Sequence, residues 1–164
     1  MVRSMLYAAD LGLYAPYVTQ HALALARTFN AELYVIHVVE PLGLFAESVL
    51  QSYLGEDALK ELRGKGVNAF LSGIEQRMLD GFREELGEGH SDLSLIRTVR
   101  VVQGEPASVI LEQAHRLNVD LLVVGSHSRR MEEGASVGRT AARVLQFSDV
   151  PVYMVPMMLK TGRG

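Results

Sequence analysis

The run Leu121–Val124 constrains the fold more than any other stretch of the chain, because it contains no polar residue. A strand with one face in water alternates apolar and polar side chains, whereas a strand buried on both faces is continuously apolar. Comparable, nearly apolar runs occur at Ser4–Ala9, Leu33–Val39 and Val150–Val155. Such strands belong to parallel sheets that carry helices on both faces, so the pattern favours an α/β fold.

Segments with helical periodicity separate these strands. A first helix begins near Pro16, which suits the first turn, and ends at Asn30. A second covers Asp57–Gly87, a third follows Pro106, and a fourth begins at Gly138. The positions expected to face the sheet are Val18, Ala22, Leu25, Ala26 and Phe29 in the first helix, Leu71, Ile74, Met78, Phe82 and Leu86 in the second, Val109, Ile110, Ala114 and Leu117 in the third, and Ala141, Val144, Leu145 and Ser148 in the fourth.

A strand at Leu95–Val102 differs from the others because Arg97 and Arg100 interrupt it, which predicts an edge position with one wetter face. The polar stretch Gly87–Ser94 before it is typical of a turn. Five strands alternating with helices predict a three-layer α/β/α sandwich with a five-stranded parallel sheet. The Leu42–Gly66 region is longer than a crossover needs, and it forms either a mobile flap or partner surface, or helix packed on the core.

Length and composition limit the class of protein. The 164 residues suffice for one domain with a sizeable core, predicted over residues 1–156 with a short tail at 157–164. A net charge of -3 and a pI near 5.9 argue against a general surface for nucleic acid or anionic membranes. The absence of cysteine excludes disulfides and thiolate chemistry. The opening MVRSMLYAADLG has too short an apolar run for a signal peptide or membrane span, so a cytoplasmic location is expected.

The polar loop before the last helix carries the residues best suited to chemistry. It begins at Gly125 and includes His127, Ser128 and Arg129 before Gly138 opens the helix. A helix start offers unpaired backbone N–H groups and the positive end of the helix dipole, and glycine lets a phosphate approach the backbone closely. The loop therefore indicates an anion-binding site, although an ordinary connection with solvated charges explains the same residues.

Gly125, Gly138 and the following strand, VPVYMV, resemble the C-terminal signature of the universal stress protein family. That signature is Gly, two residues, Gly, nine residues, Gly and then Ser or Thr. Gly125 and Gly138 match its first and third glycines. Ser128 stands at the second glycine, and Arg139 stands at the Ser/Thr position with Thr140 directly after it. Two of the four motif positions therefore differ.

Gly104 and Pro106 also resemble the family, in its Gly-x-Pro turn before the third sheet-covering helix. We interpret both residues as structural. Glycine permits an unusual turn conformation, and proline suits the first helical position.

The resemblance implies the adenine nucleotide alpha hydrolase-like fold, with strand order 3-2-1-4-5. That order places the loops after strands 1 and 4 across one crevice, where open parallel sheets bind ligands. Ala9 and Asp10 follow strand 1, and Asp10 matches an acidic residue that can hold Mg²⁺ or hydrogen-bond a ribose or base. Val38 matches a position whose backbone meets adenine. The structural alternatives are a turn cap for Asp10 and strand burial for Val38.

One branch of the family wraps the phosphates of ATP in the glycine loop, and another does not bind ATP. The resemblance thus implies a cytoplasmic stress-response regulator that binds ATP with Mg²⁺, a nucleotide-independent interaction protein, or, ranked last, a slow ATPase. The family commonly forms a two-fold dimer through the last strand, here Val150–Val155. The implied nucleotide-binding residues are Ala9, Asp10, Val38, Gly125, His127, Ser128, Arg129, Gly138, Arg139 and Thr140, with Asp10 also the candidate metal ligand.

Other chemistry has weaker support. The sequence contains no nucleophile elbow, paired acid–base carboxylates or P-loop, and Ser126 lacks a convincing base and orienting acid. His37 lies in an apolar strand and is expected to be a core histidine, whereas His127 in the loop is the better functional candidate. Neither histidine has the spacing of a metal site.

Overall fold

A computed structural model describes residues 1–10, 15–40, 66–86, 91–126 and 137–156. Within these ranges five strands form one parallel sheet in the order β3-β2-β1-β4-β5, which confirms the order implied by the resemblance. The strands are β1 (Ser4–Ala8), β2 (Glu32–Val39), β3 (Ile96–Gln103), β4 (Leu121–Gly125) and β5 (Val152–Val155). The strand with arginines, β3, lies at an edge as predicted, and β5 lies at the other edge. The proposed tail at 157–164 and nearly all of the Leu42–Gly66 region lie outside the described residues.

Helices cover both faces of the sheet, which confirms the three-layer sandwich. They are α1 (Ala15–Phe29), α2 (Gly66–Leu86), α3 (Pro106–Arg116) and α4 (Arg139–Phe147), with a 3-10 helix at Ser91–Leu95. Side chains of α1 and α2 form one core with the sheet, and those of α3 and α4 form a second core on the opposite face. Because side chains alternate along a strand, Tyr7 of β1 enters the first core and Leu6 enters the second.

The ends of α1 and α3 use the same device to turn the chain back into the sheet. Asn30 and Asn118 both have φ of 51°, in the left-handed region that asparagine tolerates. After each, an N–H reaches back across the last turn, from Ala31 to the Ala26 carbonyl at 2.8 Å and from Val119 to the Ala114 carbonyl at 3.2 Å. This arrangement is the Schellman motif, and it leads directly into β2 and β4, the two neighbours of β1.

Polar contacts fix the register of separate elements. Asp120 accepts hydrogen bonds from the backbone N–H groups of Arg3 at 2.8 Å and Ser4 at 3.2 Å. Both hydrogen bonds favour the ionised carboxylate, the one from Arg3 most strongly, and they hold the pKa of Asp120 below its usual value. Arg27 of α1 donates two hydrogen bonds to Asp92, at 2.9 and 3.1 Å. Asp92 is only 3% exposed and lies in the 3-10 helix. The prediction of a polar turn was therefore wrong at this residue, whose carboxylate is buried against Arg27.

Three apolar residues predicted to face the sheet are exposed instead. Phe29, Leu117 and Leu145 are 40%, 36% and 43% exposed. Phe29 and Leu117 lie where their helices end, beyond the reach of the sheet. In α4 the buried side chains are Ala141 and Val144, so the stripe is narrow and Leu145 falls on its flank.

Gly104 is required for a reason other than the one predicted. Its φ angle lies outside the left-handed region, so the turn conformation does not demand glycine. A Cβ atom at this position would lie 2.6 Å from Cγ2 of Val109 on α3. The glycine therefore permits a close approach between the end of β3 and α3.

Candidate functional site

A cavity of about 730 Å³ opens at the carboxyl ends of β1, β2 and β4 and is bordered by the first turns of α3 and α4. β1 and β4 are neighbours in the sheet, but β1 leads to α1 on one face and β4 leads towards α4 on the other. This reversal of direction creates the crevice in which open α/β sheets bind ligands.

The cavity brings together the residues predicted from two distant parts of the sequence. Its lining includes Ala9, Asp10, Val38, Gly125, Gly138, Arg139 and Thr140. His127, Ser128 and Arg129 lie outside the described residues. Contact of any of these residues with a nucleotide stays a prediction, since proximity to a cavity does not identify its ligand.

The N-terminus of α4 is the main polar feature of the wall. Gly138 is its N-cap and has no side chain to accept from the first N–H groups of the helix. The Gly138 N–H donates to the Ser126 carbonyl at 2.9 Å, which ties the start of α4 to the end of β4. Arg139 and Thr140 begin the helix and line the cavity. The arrangement presents backbone donors, a helix dipole and a guanidinium to a bound anion.

The N-terminus of α3 lies on the same cavity but is already capped. The Glu105 carboxylate accepts from the N–H of Ala107 at 3.3 Å and of Ser108 at 2.8 Å. It also pairs with Arg143 of α4 at 2.9 Å. Hydrogen bonds from Ser108 are the main reason that the pKa of Glu105 is lowered, so the group is ionised near neutral pH. Among the described residues, a carboxylate caps the start of α3, whereas the N-cap of α4, Gly138, makes no side-chain cap hydrogen bond.

The opposite side of the cavity is mostly apolar. Ile36 and Val38 of β2, with Pro106 and Ile110 of α3, line it. β2 and β4 are separated by β1, so the two sides lie about 10 Å apart at the usual spacing of strands. The cavity thus has an anion-binding side and an apolar side that suits a planar ring. Ile110 was predicted only as a core residue. Because it lies one turn after Pro106 at the start of α3, its position in the sequence also indicated a place on the cavity wall.

His37 was predicted to be a core histidine with its hydrogen bonds satisfied; it makes such a bond, but it is not fully buried. It is half-buried at the carboxyl end of β2, beside the cavity. Its Nδ1 lies 2.7 Å from the carbonyl oxygen of Ala9. Because a carbonyl only accepts, Nδ1 carries the proton, and the ring ties the end of β1 to β2. Across the described part of the chain, no three His, Cys, Asp or Glu side chains are grouped so as to hold a metal ion.

The sequence model of the Universal stress protein family matches residues 1–156. The chain belongs to this family. A universal stress protein of Methanocaldococcus jannaschii, MJ0531, is 28% identical over 145 residues, which cover 83% of this chain and 71% of that protein. Universal stress protein A homolog 2 of Coxiella burnetii is 30% identical over 113 residues, or 68% of this chain and 66% of that one.

Solved structures of universal stress proteins share the fold. UspA from Lactobacillus plantarum has a TM-score of 0.65 at 18% identity, with 94% of this chain and 97% of that chain covered. A universal stress protein in complex with cAMP has a TM-score of 0.61 at 20% identity, with 96% and 98% covered. Together with the strand order, these likenesses show that this universal stress protein has the adenine nucleotide alpha hydrolase-like fold.

The structure also places one of the two departures from the family signature. Arg139, which stands where the signature has Ser or Thr, is the first residue of α4 and lines the cavity beside Thr140. A cavity of about 730 Å³ is nevertheless present with Arg139 in its wall. None of the helices within the described ranges is both long and apolar enough to cross a membrane.

Proposed function

We propose that this universal stress protein is a cytoplasmic stress-response regulator that binds an adenine nucleotide, with ATP as the leading ligand. The observation that carries the proposal is the open cavity beside the start of α4, where the N-cap residue is a glycine without a capping side chain. If Arg139 had filled the anion side with its own guanidinium, the nucleotide-independent function would have been favoured. The relative solved with cAMP supports an adenine nucleotide as the class of ligand.

The two sides of the cavity suggest how the nucleotide is held. The phosphates lie against the N–H groups at the start of α4, where Gly138 allows close approach and Arg139 and Thr140 supply charge and a hydroxyl. The base lies against the apolar side at Val38. The predicted loop residues His127, Ser128 and Arg129 would complete the phosphate site. Ala9 and Gly125 line the same cavity at the ends of β1 and β4.

Asp10 fits a Mg²⁺ ion that accompanies the nucleotide. It lies across the cavity from α4, and Mg²⁺ binds through one or two carboxylates together with phosphate oxygens. The ion would offset phosphate charge, and Asp10 would orient it. The cavity is also lined by His37 and Glu40, but the His37 Nδ1–H is engaged with the Ala9 carbonyl. The sequence supplies no clear water-positioning base other than Asp10, so regulation is proposed ahead of a slow ATPase activity.

We also propose a homodimer through the last strand, predicted at Val150–Val155. The strand itself begins at Val152, and within the described residues it pairs only with β4. Its other edge could therefore pair with a strand of a second copy of the chain. A two-fold pairing would cover this edge. The alternative function, a nucleotide-independent dimeric interaction protein, draws its support from Arg139, whose cation replaces a hydroxyl at the anion side.

Calorimetric titration with ATP and Mg²⁺ tests the proposal. We expect micromolar binding by the unmodified protein. Gly138→Asp should weaken it at least tenfold, because the new carboxylate would cap α4 as Glu105 caps α3 and repel the phosphates. Gly138→Asn is the matched control, since it adds a cap of the same shape without charge and should bind more tightly than Gly138→Asp. Absence of heat at several temperatures, with no nucleotide retained on purification, would favour the interaction protein.

A further inference from the structure

A second cavity, of about 300 Å³, lies on the other face of the sheet, between α1 and α2. Pro16 of α1 and Met78 and Phe82 of α2 contribute apolar walls. The residues after β1, Ala9 and Asp10, border both cavities and separate the second from the nucleotide cavity. The volume is that of a small-molecule site rather than a packing defect.

Two buried hydroxyl groups provide a hydrogen-bonding site in the wall of this otherwise apolar cavity. Tyr7 and Thr19 line it and are 1% and 6% exposed. Their oxygens lie 2.8 Å apart, and the Tyr7 hydroxyl also approaches the Ala15 carbonyl at 3.5 Å. A hydroxyl has one proton but two lone pairs, so the pair retains capacity to accept a further hydrogen bond. Burial raises the pKa of Tyr7, and the phenol stays neutral.

The rim of the cavity does not select a charge. Arg77 and Glu85 on α2 both border it, as does Asp10. An anionic ligand would be repelled by Asp10 and Glu85, and a cationic one by Arg77, whereas a neutral molecule is repelled by neither sign. The rim therefore favours a neutral ligand.

Gly81 keeps the α2 wall open. It lies inside the helix, where glycine is one of the poorest residues, and a Cβ added to it would meet nothing within 4 Å. Packing within the described chain therefore does not require glycine here. Gly73 lies two turns earlier in the same helix and has equal freedom, but it does not border the cavity. The two positions form a natural pair for testing the cavity.

We propose that the cavity between α1 and α2 binds a small, neutral, largely apolar molecule that carries one hydroxyl or N–H donor, with Tyr7 and Thr19 accepting its hydrogen bond. The apolar body of the ligand packs on Met78 and Phe82, and its edge lies against the backbone of Gly81. The proposal does not rest on the proposed nucleotide binding, since the second cavity lies on the other face of the sheet.

The test is a titration of the full chain with 2-phenylethanol as the probe, in which ¹H–¹⁵N NMR spectra record the chemical shifts of the backbone amides. Saturable shifts at Gly81, Met78 and Thr19 are expected, and ethylbenzene, which lacks the hydroxyl, should bind at least fivefold more weakly. Gly81→Leu should abolish the shifts, while Gly73→Leu leaves them intact and reports any effect on folding of a leucine in α2. Thr19→Val should bring the affinities for the two probes together.

Non-saturable shifts scattered over the surface, equal affinity for the two probes, or equal binding by the Gly81→Leu and Gly73→Leu proteins would each overturn the proposal. A melting curve for each variant separates lost binding from lost folding. Should Gly81→Leu fail to fold, Gly81→Ala adds a single methyl at the same place, and it should weaken the probe relative to Gly73→Ala.

Discussion

Replacing Gly104 with alanine tests whether space, rather than backbone conformation, requires glycine at the end of β3. The new Cβ would lie 2.6 Å from Cγ2 of Val109, well inside van der Waals contact. Valine in a helix has essentially one side-chain rotamer, so the methyl cannot turn away. The N–H of Gly104 also bonds to the Val39 carbonyl at 3.0 Å, which holds the backbone in place. The clash must therefore shift α3 or strain the strand.

Two terms of opposite sign set the magnitude. Overpacking of this kind costs about 1–3 kcal/mol. Alanine also restricts the unfolded chain, which stabilises a protein by about 0.4–1 kcal/mol where the native conformation permits it. Gly104→Ala should therefore lower the free energy of unfolding by about 1–2 kcal/mol, or a few degrees in melting temperature. In a Val109→Ala background the clash is absent, so the same substitution should be neutral or stabilising.

Urea unfolding of the four proteins in this double-mutant cycle gives the coupling free energy directly, and we expect about 1–3 kcal/mol. Gly73→Ala is the control, because its new methyl meets nothing within 4 Å and should only stabilise. Equal destabilisation by Gly104→Ala in both backgrounds would contradict the steric explanation, since the backbone conformation of the turn, and not Val109, would then demand glycine.

Two further predictions concern buried and pH-sensitive contacts. Tyr7→Phe should cost about 1–3 kcal/mol in urea unfolding because the Thr19 hydroxyl loses its partner, and adding Thr19→Val should recover part of that loss; an additive double variant would contradict this. Asp120 has a pKa lowered by hydrogen bonds from the N–H groups of Arg3 and Ser4, so its contribution to stability is complete above its usual value of 3.8 and disappears as the pH falls through the lower folded value. The difference in stability between the unmodified protein and Asp120→Asn should be constant from pH 5 to 7 and shrink in more acidic solution, and a difference that grows on acidification would contradict the assignment.

Much of the sheet was predictable because burial on both faces leaves a direct mark on the sequence. The continuous apolar run at Leu121–Val124 is a central strand, and the interrupted run with Arg97 and Arg100 is an edge. The order of the strands could not be predicted in this way, because periodicity indicates which residues are buried but not which strands are neighbours. That information came from the spacing of Gly125 and Gly138 and the family it indicated.

The errors share a physical cause, which is that periodicity within one element says nothing about its neighbours. Asp92 looked like a turn residue because its partner, Arg27, is 65 positions away. His37 looked like a core residue because the Ala9 carbonyl that accepts its hydrogen bond lies just after β1, 28 positions earlier in the chain. At the start of α3, Glu105 escaped notice because glutamate is not a typical N-cap, and only the fold brings Arg143 to it.

The carboxylate of Glu105 would give a bound nucleotide a direction. Two helices begin at the cavity rim, and a phosphorylated ligand would meet two positive helix ends if neither carried an acid. Glu105 closes one of them with a negative charge that Arg143, from the competing helix, holds in place. Under the proposed nucleotide binding, the polarity of the ligand would thus be set by a residue that need not touch it. Moving the acid from position 105 to position 138 is expected to disfavour phosphates at the start of α4.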